Sequence, residues 1–197
     1  MAAFGRSYDE PLGAASLGGR LSAWAERVAI WNQRVDLTAA RSVAELVDLL
    51  VADAAALARS PSAFMKTCVD VGSGAGAPGL ALALLVPELE ITLVEPKTKR
   101  VAFLRGTLGA LERPDLRVER RSSRDLPAGA WDVAISRATF EPAVWRAEGL
   151  RLAKRAWVLL ARQELPDDAA LAVVQELDYT WPLTGVARRA VAYERRS

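Results

Sequence analysis

The run Asp70-Val71-Gly72-Ser73-Gly74-Ala75-Gly76 constrains this chain more than any other segment. It follows a short apolar stretch, residues 68–71, of the kind that forms a buried strand. It precedes Pro78, well placed in the first turn of a helix reaching about Val86. A strand, a glycine turn and a helix in this order bring bare backbone up to a ligand, because a Cβ at the glycines would block the approach. In an open α/β sheet that turn sits at the carboxyl edge, where ligands bind.

The rest of the chain has a matching grammar. Strand-like runs at 90–95, 116–119, 131–135 and 156–161 alternate with helical patterns at 97–111 and 141–153. A further helix is expected at 167–177, with closing strands at 179–184 and 186–194. Alternation of this kind implies an α/β, Rossmann-like fold with a mostly parallel, seven-stranded sheet covered on both faces. Ahead of it lie two amphipathic helices. One spans about 16–34, with Leu21, Trp24, Val28 and Trp31 inward; the other opens on a Ser42/Glu45 capping box and reaches about Arg59. Asp53 falls on the apolar face of that second helix, an unusual place for a carboxylate. The expected division is a helical extension over 1–60 and a Rossmann-like body over 61–197, meeting near Ser60-Pro61-Ser62.

Glu95 closes the second strand, nineteen residues after Gly76. A carboxylate there can accept two hydrogen bonds from the ribose hydroxyls of an adenosine. A nucleoside cofactor is therefore expected, and two classes fit. Gly72, Gly74 and Ala77 also satisfy the dinucleotide pattern of nicotinamide enzymes. Against that class stand the acidic Asp70, two residues before the first glycine, and the lack of a His or Tyr-x-x-x-Lys pair for hydride chemistry. The chain has no histidine and one cysteine, Cys68, in an apolar run. Disulfides, Ser-His-Asp and Cys-His catalysis are excluded, and no metal site is expected. A formal net charge of +2 permits nucleic-acid binding without demanding it.

The same residues resemble the bacterial 16S rRNA (guanine-N7) methyltransferase G family, also known as glucose-inhibited division protein B. The resemblance is carried by Trp31-Asn32 with Asp36-Leu37-Thr38-Ala39 and Arg41, and by the segment from Asp70 to Gly79. It continues through Lys99-Arg100-Val101 with Phe103-Leu104-Arg105, and Ser136-Arg137-Ala138. It implies S-adenosylmethionine as cofactor and transfer of a methyl group to N7 of a guanosine in 16S rRNA. Gly72, Gly74, Gly76 and Ala77, with Asp70 and Pro78 framing the turn, would surround the cofactor. Glu95 would take the ribose, and Ser123 and Arg124 the adenine. Arg137 would sit beside both cofactor and target base, as the candidate catalytic residue. Lys99, Arg100 and Arg105 are candidate RNA contacts. The resemblance further implies a cytoplasmic protein, expected to act as a monomer on 16S rRNA or the small ribosomal subunit, and no membrane span is expected.

The chain departs from the family pattern at several positions. Leu50 stands where the family carries a histidine, three residues before Asp53. Ser122-Ser123-Arg124 replaces a run with an acidic side chain. Leu152-Ala153-Lys154-Arg155 replaces a Pro-Gly-Gly turn, and Arg162-Gln163 a Lys-Gly. Most of these losses are expected to face substrate or cofactor. They suit, as alternatives, a methyltransferase for another RNA or a small molecule, or a relative that binds without turnover.

Overall fold

The computed structural model describes residues 16–59, 66–161, 165 and 167–196. Its seven strands are β1 (Thr67–Val71), β2 (Glu90–Val94), β3 (Arg117–Glu119), β4 (Trp131–Ser136), β5 (Ala153–Leu160), β6 (Leu171–Thr180) and β7 (Ala187–Arg195). They form one sheet in the order β3-β2-β1-β4-β5-β7-β6. The first five run parallel; β7 is antiparallel to β5, and β6 to β7. The chain leaves β1 for β2 on one side and reaches β4 on the other. The crevice above β1 is therefore the topological switch point, where open α/β sheets bind ligands.

The helices are α1 (Leu17–Asn32), α2 (Val43–Val47), α3 (Asp53–Ala58), α4 (Gly79–Leu85), α5 (Thr98–Ala110) and α6 (Pro142–Leu152). Ser16 caps α1, and Ser42 caps α2 by accepting the Glu45 N–H. A π-helical turn, Asp48–Ala52, joins α2 to α3, so the second predicted helix exists but carries one loosened turn. Buried apolar residues form one cluster on each sheet face. The larger includes Trp24, Leu80, Phe103 and Trp157; the other centres on Val71, Trp145 and Val158. Cys68 is buried in the first, where burial pushes its thiol further up. Among the described residues, no helix is long and apolar enough to cross a membrane.

One element differs from the sequence expectation. In place of the helix expected at 167–177 and the strand expected at 179–184, a single edge strand, β6, runs over Leu171–Thr180, and 181–184 form the turn into β7. Leu171, Val174 and Leu177 recur at helical spacing in the sequence, but in the strand Val174 is exposed at a bulge between Val173 and Gln175, and Leu171 and Leu177 pack against different core clusters. Beyond it, Gln175, Leu177 and Tyr179 are half-buried while Glu176, Asp178 and Thr180 are exposed, the alternation of a strand. The Ser60-Pro61-Ser62 boundary and Arg162-Gln163 lie outside the described residues.

The Leu152–Arg155 departure also reads differently in three dimensions. α6 passes directly into β5, so no turn is needed there. Lys154 Nζ lies 2.8 Å from Asp132 Oδ1, and Arg155 Nη2 lies 2.6 Å from Glu194 Oε1. The Lys154 contact, with backbone N–H groups of Thr67 and Lys66, holds the Asp132 carboxyl far below the usual carboxylate range. These pairs sit at the amino edge of the parallel strands, opposite the crevice. This departure does not face the site.

Asp48 ties the π-helical turn to the β6–β7 connection. Its carboxylate accepts the Leu183 N–H, the Thr184 N–H and the Thr184 hydroxyl. Removing a buried acceptor strands its donors, at about 1–3 kcal/mol. Asp48→Ala is expected to lower the unfolding free energy by about 2 kcal/mol in urea titrations, with the denaturant slope unchanged.

Candidate active site at the carboxyl edge of the sheet

β1 ends in the turn Gly72–Pro78, held to β2 by Gly72 N–H and Ser73 N–H donating to the Val94 carbonyl. Gly72 and Gly76 have positive φ, +75° and +102°, which only glycine adopts without strain. A Cβ on Gly72 would stand 2.2 Å from Thr139 Oγ1, so the turn meets the loop after β4 face to face. Glu95 is 2 % exposed. Its Oε2 accepts the Gly74 N–H at 3.0 Å, and its Oε1 the Lys97 N–H at 2.9 Å. Each oxygen retains a lone pair.

Asp70 lies beneath the turn, fully buried. Its Oδ2 accepts the Gly79 N–H at 3.1 Å, while its Oδ1 has no partner among the described residues. Burial raises its pKa to about 6 from an ordinary 3.8. The nearby Ser73 hydroxyl, the bond from the Gly79 amide and the Arg137 charge oppose the rise, and Glu95 adds to it.

Arg137 follows β4. Its Nη1 donates to the Leu49 carbonyl, on the π-helical turn, and lies 3.3 Å from Asp53 Oδ2. Asp53, 3 % exposed, also accepts Trp181 Nε1 at 2.7 Å and Tyr179 Oη at 2.9 Å through Oδ1. The carboxylate that looked misplaced on an apolar helix face is thus a three-donor hub joining α3, the β4 loop and the final hairpin. Burial, reinforced by the Asp53 charge, pushes the Tyr179 hydroxyl far up, which keeps it a donor. Arg188 stacks on Trp181, its guanidinium carbon 4.0 Å from the ring centroid, and its buried Nε has no partner among the described residues. Arg137, Arg188, Asp53, Tyr179 and Phe140 line a cavity of about 670 Å³.

The other predicted residues divide. Gly76 and Ala77 are in the turn, and Pro78 closes it; Trp24 Nε1 donates to the Ala75 carbonyl at 2.9 Å, fastening α1 there. Ser123 is buried in a 3₁₀ turn after β3, its carbonyl taken by Arg151 Nη2; Arg124 is exposed, and both line a second groove beside Phe140. The acidic group absent from Ser122-Ser123-Arg124 follows at once, as Asp125 caps the Ser122 N–H. Lys99 and Arg105 are exposed on α5. Arg100 is not a free surface cation: its Nε and Nη2 both donate to the Asp36 carbonyl, at 3.0 and 2.5 Å. Leu50, at the family's histidine position, is buried in the core. Sequence reasoning missed Arg188, Tyr179 and Trp181. The last two lie 126 and 128 residues from the carboxylate they serve, and only the Asp53 anomaly pointed toward them.

The family model described as rRNA small subunit methyltransferase G matches residues 19–165. The chain belongs to the rRNA small subunit methyltransferase G family. Among members of this family, the Ribosomal RNA small subunit methyltransferase G of Anaeromyxobacter sp. (strain Fw109-5) is 30 % identical over 192 residues, covering 90 % of this chain and 88 % of the relative. That of Anaeromyxobacter dehalogenans (strain 2CP-C) is 31 % identical over 194 residues, covering 89 % and 87 %. The fold is shared with more distant structures. A SAM-dependent methyltransferase from Aquifex aeolicus superposes with TM-score 0.55 at 17 % identity, covering 76 % of this chain and 92 % of that one. TrmN from Thermus thermophilus gives TM-score 0.55 at 22 % identity, covering 87 % and 52 %.

Because the neutral form of Asp70 is favoured in the folded protein, its contribution to stability is complete below pH 3.8 and is lost as pH rises through about 6. Asp70→Asn keeps an acceptor for Gly79. It is expected to gain stability over the parent between pH 4 and 7, levelling at about 3 kcal/mol in denaturant titrations of the ligand-free protein.

Proposed function

We propose that this protein is an S-adenosylmethionine-dependent rRNA methyltransferase that methylates N7 of a guanosine in 16S rRNA. One juxtaposition carries the reading: the glycine turn over Asp70 and Glu95 opens beside the Arg137 cavity across the Gly72–Thr139 contact. The donor set fits the cofactor. Glu95 has one spare lone pair on each oxygen for ribose hydroxyls, and the orphaned Asp70 Oδ1 is a buried acceptor for an ammonium or a bound water. Gly72, Gly74, Gly76, Ala77 and Pro78 supply close backbone, and Ser123 and Arg124 an adenine-side wall.

When bound, the cofactor supplies an electrophilic methyl group on a sulfonium. Guanine N7 carries its own lone pair, so no proton need be removed before attack, and a chain without histidine can serve. The protein's task is alignment, which can supply much of the rate enhancement of a two-reactant step. Arg137, fixed through Asp53 and the Leu49 carbonyl, would orient the base by hydrogen bonding. Arg188 places a second cation in the same cavity. A cavity of this size suits a flipped-out base. Lys99 and Arg105 would meet RNA phosphates. The helices before residue 60 would act as a cover on the 61–197 body. The same reading places a monomeric protein in the cytoplasm, with 16S rRNA in the small ribosomal subunit as its partner.

Arg137→Ala is expected to lower the single-turnover methylation rate on unmethylated small subunits about 100-fold. An undiminished rate would remove Arg137 from the mechanism. The Lys99→Ala, Arg105→Ala double variant is expected to reduce the slope of log affinity for RNA against log salt by roughly 1 to 2, while cofactor affinity stays the same.

A further inference from the structure

The carboxylate read as the ribose acceptor is almost wholly covered, although a nucleoside must reach it. Specific groups approach Gly74, whose N–H this carboxylate accepts. Around Gly74, the nearest atoms beyond the turn itself are Arg100 Nη1 and the Leu37 carbonyl, 3.9 and 4.0 Å from where a Cβ would stand. Arg100, in the first turn of α5, reaches both ways. Its Nη1 lies 4.0 Å from Glu95 Oε2, and its Nε and Nη2 grip the Asp36 carbonyl. Its side chain is 21 % exposed.

The segment it grips is pre-shaped. Asn32 Oδ1 accepts the Leu37 and Thr38 N–H groups, and Asn32 Nδ2 donates to the Thr38 carbonyl. Residues 36–38 are thus a closed ring hung from the end of α1. α1 is fastened separately, through Trp24 and the Ala75 carbonyl. Release of Arg100 would free the ring without undocking the helix.

We infer that Arg100 is a positioning residue that latches the 36–38 segment over Glu95, so that a nucleoside enters only when the Arg100–Asp36 contact parts. This rests on Glu95 being the ribose acceptor. The exposed Asp36 carboxylate, 3.6 Å from Arg100 Nη2, is a minor part of the latch, because solvent screens it and the forked bonds go to the backbone carbonyl. Once the nucleoside is seated, Arg100 and the ribose hydroxyls share the Glu95 oxygens.

The test compares the parent with Arg100→Ala and Arg100→Gln by two measurements. Hydrogen exchange on the ligand-free protein follows the Gly74 amide, which donates to Glu95 beneath the latch. Stopped-flow tryptophan fluorescence follows association and dissociation of S-adenosylhomocysteine. Loss of two hydrogen bonds from a charged donor should speed Gly74 exchange, association and dissociation by about tenfold or more in Arg100→Ala. The same direction of change is expected in Arg100→Gln, which retains a shorter donor and guards against a folding defect in the alanine variant. Unchanged Gly74 exchange with an unchanged association rate would overturn the latch, as would slower association, which would make Arg100 a direct ligand contact. If the parent itself bound no S-adenosylhomocysteine, the cofactor reading would fall, and Gly74 exchange would still decide whether Arg100 holds the segment shut.

Discussion

The site depends on one buried carboxylate. Asp53 receives a guanidinium from the loop after β4 and an indole and a phenol from the β6–β7 hairpin. A carboxylate so enclosed is tolerable only when its lone pairs are answered, and breaking such a set is costly because the remaining groups stay buried. Asp53 therefore fixes the position of Arg137, of the β6–β7 hairpin and of the cavity between them. Asp48, one turn earlier, fastens the far end of the same hairpin. The π-helical turn between the two carboxylates lets both face the hairpin while its Leu49 carbonyl accepts from Arg137.

The two halves of the site differ in how they hold a ligand. Around β1 the chain offers backbone, with glycines where side chains would intrude and Glu95 and Asp70 below. Around β4 and the hairpin it offers side chains held by hydrogen bonds or ring contacts, Arg137, Tyr179 and Trp181 on Asp53 and Arg188 on Trp181. This division suits a reaction in which one reactant must be held close and the other only turned to the right angle. It also explains why a chain without histidine is not handicapped: Asp70 is the group drawn toward neutrality, and it lies beneath the turn rather than in the cavity.

What the sequence revealed followed from locality. Strand, glycine turn, helix and Glu95 lie within about thirty residues, and their spacing carries the geometry. The family motifs around Arg137 and Asp70 were legible for the same reason. The β6 strand differs from the helix expected there because Leu171, Val174 and Leu177 share a spacing in sequence but not a face in the structure, where Val174 is exposed at the bulge. Arg100 stands among the candidate RNA contacts through the family resemblance alone. Its partner is a main-chain carbonyl 64 residues earlier, which no side-chain pattern announces. Of the departures from the family pattern, Lys154-Arg155 lies at the start of a strand, at the edge of the sheet opposite the crevice, which sequence order alone does not reveal.

The fastening of α1 to the glycine turn has a consequence for synthesis on the ribosome. Trp24 leaves the exit tunnel well before Ala75, and Asp36 well before Arg100. At about 5–20 residues per second, the amino-terminal helix waits roughly 3–13 s for the residues that complete its docking. During that interval Trp24 and Val28, fully buried in the finished fold, have no surface to cover them. The apolar face of this helix is therefore covered only once β1 and the glycine turn have been made.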